Sequence, residues 1–566
     1  MTKRSGTRTR PRSDAEAPTN TRGEGSVARA AEKTRVGTRS FTRRARAQQR
    51  RRAARRTVRG TRARSGWGTV LVELQFGETL RRSRQALRRI PRAASICALV
   101  AVLNAVCWSV VTPPFEVPDE PSHFAYVKQL AETGRLPSSG SGRYSGEEIV
   151  ALEALGYYKV REQPQDRTIA SRAGQGLLEH TLQVTSHRGE KGSAAAGVAA
   201  SEPPLYYALE TIPYSLARSG TLLDRLQLMR LTSALMAGLT AFFAFMFVRE
   251  ALPRERWAWT VGGLAVALTP LLGFMSGAVN PDSLLFAVSA AIFYCLARAF
   301  RRGLTVRDAA ALGALVAIGL LTKLNFVGLV PGVILGLLVL CRRAARVSGR
   351  SAYRLLALAL SIGFAPVALY ALVNALSNHP VLGFVSGVLN SLHGSVFGEI
   401  DYIWQLYLPR LPGTASDFPG LSTTRQLWFD GYVGLYGWLD TTFPSWVYNL
   451  ALVPAGLIAL LCARALVACR AQLRARAVEL AVYASIGVGL MVLVGAASYR
   501  SFPSADAEFA QTRYLLPLLA LLGVVVALAA RGAGRRWGPA VGALIVLLFL
   551  GHDVFSQLLE ATRFYG

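Results

Sequence analysis

The chain has 566 residues, of which 51% are hydrophobic and only 17% are charged, and its formal net charge is +30. This composition excludes a soluble multidomain enzyme and is typical of a membrane protein. The charge does not indicate a nucleic-acid partner either, because residues 1–97 alone hold 27 Lys and Arg against 6 Asp and Glu.

The N-terminal segment is the most basic part of the chain. Residues 1–65 are mostly Arg, Thr, Ser, Ala and Gly, which is too little apolar surface to offset chain entropy. They are predicted to form a disordered, Arg-rich cytoplasmic tail, which either attracts anionic membrane lipids or only sets topology. Residues 66–92 mix apolar side chains with arginines, which predicts an interfacial amphipathic helix.

Eleven apolar runs follow, each able to cross a hydrocarbon core about 30 Å thick. They predict an all-α, polytopic transmembrane helical bundle over residues 93–555 and a C-terminal tail at 556–566. With no apolar run near Met1, the first run is predicted to be an uncleaved signal anchor. The runs are 93–111, 226–248, 257–275, 283–299, 307–322, 326–341, 355–376, 446–463, 478–497, 514–530 and 538–552.

Arg-rich segments between alternate runs predict the orientation, because such segments favour the cytoplasmic side. The N-terminus is then cytoplasmic, and loops 112–225 and 377–445 face outward from a bacterial plasma membrane. Residues 201–220 predict a juxtamembrane helix, since a twelfth span would place the Arg-rich segments outside. Those segments are 249–257, 297–303, 341–354, 463–476 and 531–537.

A carboxylate pair opens a predicted helix in the first outer loop. Asp119 and Glu120 follow Pro118, and His123 lies one helical turn after Asp119. Helix capping is one explanation, because carboxylates complement the helix dipole. Capping needs only one carboxylate, however, so the alternative is a general base that deprotonates a hydroxyl acceptor.

Further polar residues lie at the predicted outer ends of spans. Asn280 and Asp282 either cap a helix or contact sugar hydroxyls or a metal. Lys323 either snorkels to the surface or contacts a phosphate. Arg513 and Arg410 lie on the side where the positive-inside rule disfavours arginine, and arginine binds phosphate through paired N–H donors.

Seven motifs in order resemble a family of bacterial multi-pass membrane proteins of unknown function, over roughly residues 95–555. That family is similar to the GT-C class of glycosyltransferases, which includes protein O-mannosyltransferases and the aminoarabinose transferases of lipid A. The motifs are PDEPSHFAYV at 118–127, SEPPLYY at 201–207, AVNPDSLLF at 278–286, GLLTKLNFVGLVP at 319–331, YIWQLYLPRLP at 402–412, GLYGWLDTTFP at 434–444 and AQTRYLLPLL at 510–519.

The resemblance implies a GT-C-like fold and transfer of a sugar from a polyprenyl-phosphate donor to a cell-envelope glycan, lipid or protein at the outer face. An acidic motif in the first outer loop of GT-C enzymes activates the acceptor. The resemblance assigns that role to Asp119 first and Glu120 second, and we add His123 to the catalytic candidates.

The remaining site predictions concern the donor. Arg513, Lys323 and Arg410 are predicted to bind its phosphate, which is the leaving group. The PPLYY element implies substrate contacts for Glu202, Tyr206 and Tyr207, although Glu202 stands where His, Lys or Asn is common. Trp404 is predicted either to stack on sugar or to join an interfacial aromatic belt. No cofactor is expected, with Mg²⁺ or Mn²⁺ left open.

Two other classes of function stay open. One is a transporter or flippase for polyprenyl-linked glycans or lipids, and the other is a non-catalytic scaffold in envelope assembly. Transporters place ionisable residues at mid-membrane depth, whereas the predicted spans here are nearly free of internal charge. The gathering of polar motifs at one face favours an interfacial enzyme.

Overall fold

The computed structural model describes residues 91–137, 144–158, 172–184, 197–349, 352–376, 395–409, 423–501 and 510–565. The predicted tail at 1–65 and the predicted amphipathic helix, except for its last two residues, lie outside this part of the chain. Arg410 also lies outside it.

The described chain is mainly helical and contains one two-stranded ribbon, which confirms the predicted all-α polytopic fold. In the ribbon, β1 (Leu435–Tyr436) pairs antiparallel with β2 (Thr441–Thr442). Short 3₁₀ segments lie at Gly197–Ser201, Leu324–Leu329 and Thr512–Leu518, and a π-helical turn at Arg425–Asp430. The α-helices are α1 Arg92–Val111, α2 Glu120–Thr133, α3 Gly146–Ala154, α4 Arg172–Val184, α5 Leu205–Leu216, α6 Leu222–Ala251, α7 Arg256–Ala267, α8 Pro270–Ser276, α9 Asp282–Arg302, α10 Val306–Thr322, α11 Val330–Ser348, α12 Ala352–Leu376, α13 Val396–Tyr407, α14 Gly431–Gly434, α15 Ser445–Ala468, α16 Arg470–Ala475, α17 Ala477–Ser501, α18 Leu519–Gly532 and α19 Gly534–Tyr565.

The spans follow the predicted apolar runs. Within the described ranges, nine helices are long and apolar enough to cross a membrane, and the pair α7–α8, bent by 53°, is a tenth candidate. The bend follows from Pro270, because a residue before proline is pushed out of the helical region, and Thr269 has the extended values φ −74° and ψ 117°. The remaining predicted run, 307–322, forms α10, which has 17 residues.

The C-terminal residues 556–565, predicted as a tail, continue α19 as helix. Their contacts explain the difference. Phe564 is buried, and the Arg563 guanidinium lies 3.5 Å from the Asp440 carboxylate. The last helix therefore packs against the chain just before β2 rather than ending at residue 555.

Helices α2 to α5 lie in the first long loop, between α1 and α6, as predicted. Helix α5 has 12 residues, or about 18 Å, which is too short to cross the hydrocarbon core. It covers most of the segment 201–220, so this segment forms a juxtamembrane helix rather than a twelfth span.

Buried ion pairs hold the first long loop against α6. Lys128 of α2 lies 3.1 Å from the Glu147 carboxylate of α3, and Arg225 of α6 pairs with the same carboxylate. Arg225 also donates to the Tyr214 hydroxyl at 2.8 Å, and that hydroxyl donates to Glu132 at 2.5 Å. Because unpaired buried charges are costly, these contacts fix the helices that follow Asp119.

An aromatic cluster joins the first and last spans. The Trp108 ring of α1 packs at 5.5 Å from Phe274 and 5.0 Å from Tyr436. Its indole N–H donates to the Asp553 carboxylate of α19 at 3.1 Å. This cluster sets α1, and the loop that follows it, against α8 and β1.

The two ends of the bundle carry different chemistry. At one end, the loop after α1 meets the start of α9, the end of α10 and the segment before α18. At the other end, the Arg-rich segments meet: Arg301 contacts Glu250 at 2.9 Å, and Arg476 donates to the Ala251 carbonyl at 2.9 Å. The loop after α1, the start of α9, the end of α10 and the segment before α18 all carry predicted site residues. These residues therefore lie together at the end of the bundle away from the Arg-rich segments.

Candidate functional site

The loop after α1 has an unusual backbone. Phe115 and Asp119 both have φ 68°, in the left-handed region that non-glycine residues rarely adopt. Such conformations persist where surrounding contacts over-determine them, and they concentrate at functional sites. The contacts that fix this loop come mainly from one buried arginine.

Arg230 of α6 uses all five of its N–H donors on the loop and its flanks. Its Nη1 donates to the carbonyls of Ser109 at 3.0 Å and Thr112 at 2.9 Å, and its Nη2 to that of Pro113 at 2.9 Å. Its Nε and Nη2 also donate to the Glu120 carboxylate at 2.8 and 2.6 Å. Arg230 therefore fixes the path of the chain from the end of α1 to the start of α2.

Glu120 is fully buried and has both oxygens occupied. Besides Arg230, the backbone N–H groups of Phe115 and Val279 donate to it at 2.9 and 3.0 Å. The carboxylate thus accepts from four nitrogen atoms, two of Arg230 and two of the backbone. Glu120 thus joins the loop to α6 and to the segment before α9, and its oxygens are not directed at open space.

Asp119 lies next to Glu120 but has different surroundings. It occupies the position before α2, yet its side chain makes no capping hydrogen bond, so capping does not explain this residue. Its carboxylate accepts from Arg513 Nη2 at 2.8 Å, and its side chain is 28% exposed. Of the two adjacent carboxylates, Asp119 is the one with room for a ligand.

Arg513, in the 3₁₀ segment before α18, is only 6% exposed. Its Nη2 donates to Asp119 and, at 3.4 Å, to the Tyr514 hydroxyl. Its Nε and Nη1 have no hydrogen-bond partner among the residues that the structure describes. A cavity of about 20 Å³ beside it is also lined by Pro118 and Gln511, which is room for about one water.

A second ion pair lies nearby. Lys323, between α10 and the 3₁₀ segment, is 6% exposed and lies 2.9 Å from Asp282 Oδ1 at the start of α9. Burial in an ion pair is incompatible with the snorkelling explanation for Lys323. The other oxygen, Asp282 Oδ2, has no partner within the described residues.

Asn280 joins the second ion pair to the loop. Its amide donates to the Pro118 carbonyl at 3.4 Å, and its Oδ1 accepts from the Asp282 backbone N–H at 3.0 Å. This agrees with the helix-start role that the sequence allowed for Asn280. Glu202 approaches from the PPLYY element, where its carboxylate accepts from the Leu324 N–H at 3.4 Å.

We call these residues together the polar cluster: Asp119, His123, Glu202, Asp282, Lys323 and Arg513. Their charges act on one another. Although burial raises the pKa of Asp119, the charges of Arg513 and Lys323 hold it below its ordinary value. Burial raises the pKa of Glu202 against the lowering effect of Lys323. At neutral pH the Asp119 carboxylate is therefore ionised.

His123 lies on α2, and its Nδ1 is 2.9 Å from the Tyr207 hydroxyl. Burial lowers the pKa of His123 to about 3, against the effect of Asp119, so the imidazole is neutral at physiological pH. Tyr207 stacks on Tyr126 at 3.7 Å, and the Tyr206 hydroxyl lies 2.7 Å from Ser233 Oγ. Both PPLYY tyrosines are buried packing residues in this structure.

Trp404 contacts none of these residues through its indole N–H. It lies on α13, is 38% exposed, and donates to the Pro409 carbonyl at 3.0 Å. Of the predicted site residues, then, the structure brings seven together, namely Asn280 and the members of the polar cluster. Glu120, Tyr206 and Tyr207 lie behind them as buried supports.

Arg230 is the residue that sequence reasoning missed. It lies inside the predicted span 226–248, and a charge within an apolar run is itself a signal of function or of a specific partner. The expectation that the spans are nearly free of internal charge overlooked it. Its partner Glu120 lies 110 positions earlier, so the pairing could not be read from local spacing.

An apolar cavity of about 330 Å³ adjoins the polar cluster. Ser201 and Pro203, which flank Glu202, form part of its wall, and so does Leu324, which follows Lys323. Elsewhere its lining is apolar, apart from Tyr370. For the predicted option of a divalent metal, no group of three or more His, Cys, Asp or Glu placed to hold one occurs in the described ranges.

A family model described as "Predicted membrane protein (DUF2142)" matches residues 102–522, and no curated protein matches. The solved structure of ArnT from Cupriavidus metallidurans in the apo state aligns with 84% of this chain and 75% of its own, at 15% identity and a TM-score of 0.40. Because the match covers well over half of the chain, including the positions of all seven motifs, the chain belongs to the DUF2142 family of predicted membrane proteins.

Proposed function

We propose that this protein is a GT-C-like membrane glycosyltransferase that moves a sugar from a polyprenyl-phosphate carrier to a hydroxyl of a cell-envelope acceptor. One observation carries the proposal. The buried Arg513 guanidinium binds Asp119 through one nitrogen, and its other two nitrogens, Nε and Nη1, have no partner among the described residues. A guanidinium with free donors suits a phosphate oxygen, and the adjacent carboxylate suits an acceptor hydroxyl.

The apolar cavity beside the polar cluster supports a lipid-linked donor. Its wall includes Leu320, Val327 and Phe364, which suit an isoprenoid chain and offer no polar group to the phosphates of a nucleotide. Lys323 immediately precedes Leu324 at the rim. The isoprenoid chain of a donor lying in this cavity would bring the donor phosphate towards Lys323 and Arg513, the two cations of the polar cluster.

The proposed reaction is a single displacement with inversion. The acceptor oxygen forms a bond to the anomeric carbon, and the bond from that carbon to the phosphate oxygen breaks. The electron pair leaves with polyprenyl phosphate, whose added negative charge Arg513 and Lys323 stabilise. Asp119 takes the hydroxyl proton. Asp282 Oδ2, which has no partner among the described residues, is proposed to accept from a sugar hydroxyl.

The polar cluster is proposed to face outward, because the Arg-rich segments lie at the other end of the bundle. Two exposed arginines serve to test the orientation. Arg135, after α2, lies in the first long loop, and Arg254, after α6, lies in an Arg-rich segment. In a background without the six native cysteines, an impermeant maleimide should label Arg135→Cys in intact cells and Arg254→Cys only after permeabilisation. The reverse pattern would place the site on the cytoplasmic side and would contradict the proposal of sugar transfer at the outer face.

Activity is tested with donors of the proposed class. The purified full-length protein, in nanodiscs, is incubated with labelled polyprenyl-phosphate mannose, arabinose or glucose and the envelope fraction of its own cell. We expect label to pass from one lipid donor to the envelope fraction, with release of polyprenyl phosphate. Nucleotide sugars supplied alone should give no transfer. Transfer from a nucleotide sugar, or from none of these donors, counts against the proposal and favours the flippase and scaffold alternatives.

A further inference from the structure

A second cavity lies at the opposite end of the bundle from the polar cluster. It measures about 430 Å³ and is formed where α1 begins, α6 ends and α7 begins. Arg92, Arg249 and Arg256 line it, together with the aromatic rings of Phe245 and Trp259. The volume falls within the roughly 300 to 1,000 Å³ typical of small-ligand sites.

The three arginines of this cavity are not neutralised by the acidic side chains nearest to them in sequence. Glu250 is engaged by Arg301 at 2.9 Å and by Arg302. Glu255 lies 3.9 Å from Arg531. In the described part of the chain, no ion pair joins a carboxylate to any of the three lining arginines, so the cavity carries three positive charges without a counter-ion from these residues.

The aromatic wall is fixed in place. The Trp259 indole donates to the Leu252 carbonyl at 2.7 Å, and the Arg249 guanidinium lies 5.8 Å from its ring centroid, within reach of a cation–π contact. Phe245 is buried behind it. The cavity thus presents guanidinium groups and an apolar wall together, at helix ends that carry the Arg-rich segments.

We propose that this cavity binds the phosphate of an anionic glycerophospholipid, from the leaflet next to the Arg-rich segments. Guanidinium groups bind phosphate oxygens through paired donors, and basic pockets between spans are known sites for lipid headgroups. The apolar wall favours a lipid over a free anion, since it offers contact to the glycerol and first acyl carbons. By the predicted orientation, this leaflet is the cytoplasmic one. The proposal does not depend on transferase activity.

The test measures lipid binding to the full-length protein by native mass spectrometry. Phosphatidylglycerol is titrated against phosphatidylcholine with the same acyl chains, and inorganic phosphate is tested separately. Each arginine is expected to contribute about 1 kcal/mol to the free energy of lipid binding. The double variant Arg249→Gln/Arg256→Gln should therefore bind phosphatidylglycerol about 30-fold more weakly. The matched control Arg470→Gln/Arg474→Gln removes two exposed arginines of α16, at the same end of the bundle, and should bind as the wild type does.

The exposed Arg256 also gives a mild variant in case the double variant unfolds. Arg256→Gln alone should weaken phosphatidylglycerol binding about fivefold. If the α16 control lost as much affinity for phosphatidylglycerol, the effect would come from general surface charge, and the proposed site would be overturned. Unchanged binding in the Arg256 variant, equal binding of the two lipids, or displacement of the lipid by millimolar inorganic phosphate would overturn it as well.

Discussion

Asp119→Asn is expected to lower the rate of sugar transfer by about 100-fold or more, with little change in donor binding. The amide has nearly the same shape as the carboxylate, but it cannot accept the acceptor's proton. Initial rates at saturating donor, together with donor affinity measured by titration, separate the two effects. A loss of donor affinity equal to the loss of rate would instead assign Asp119 to donor binding.

Glu120→Gln is the matched control, because it makes the same chemical change one residue later. Here the main cost is structural: Arg230 loses its charged partner, and breaking a buried ion pair costs roughly 3 to 5 kcal/mol. We expect a lower melting temperature for this variant, and transfer by the folded fraction closer to wild type than in Asp119→Asn. A fully active Asp119→Asn beside a folded but inactive Glu120→Gln would reverse the two roles.

Arg513→Ala should weaken donor binding and slow turnover together, by roughly 2 to 4 kcal/mol or about 30- to 1,000-fold. The guanidinium is proposed to contact the phosphate both in the bound donor and in the transition state. Burial raises the pKa of Asp119 and the charge of Arg513 opposes that effect, so removing Arg513 should also raise this pKa. The measurements are binding of a polyprenyl phosphate and the rate of transfer.

Two further variants sharpen this result. Arg513→Lys keeps the charge and loses the fork of donors, so it should recover part of the affinity but not all of it. Arg500→Ala removes a partly exposed arginine at the end of α17, which lies 3.5 Å from Glu399 and outside the polar cluster. Equal losses in Arg500→Ala and Arg513→Ala would mean that no specific phosphate contact is made by Arg513.

The spans could be predicted from the sequence because hydrophobic length alone decides which segments cross a membrane. The gathering of Asp119, Asp282, Lys323 and Arg513 followed from the same argument. Asp282, Lys323 and Arg513 lie directly beside the end of an apolar run, and Asp119 lies in the loop that follows one. Alternating spans bring every second end to one side. No contact had to be known for this step.

The separate surroundings of Asp119 and Glu120 could not be predicted in this way. The two residues are adjacent and chemically alike, and the left-handed backbone at Asp119 turns their side chains to different partners. Those partners, Arg513 and Arg230, lie 394 and 110 positions away. Only the tertiary structure distinguishes the carboxylate that is exposed to a ligand from the one that holds the loop.

The hydrogen bond between Trp108 and Asp553 spans 445 positions, and it bears on the order in which the protein is assembled. The first membrane segment leaves the ribosome long before the last one exists. Until α19 has entered the bilayer, the indole N–H of Trp108 lacks its native acceptor, and an unpaired polar group in hydrocarbon is costly. Chains that stop before residue 553 should therefore be poorly assembled and open to degradation, even though they contain Asp119, Lys323 and Arg513.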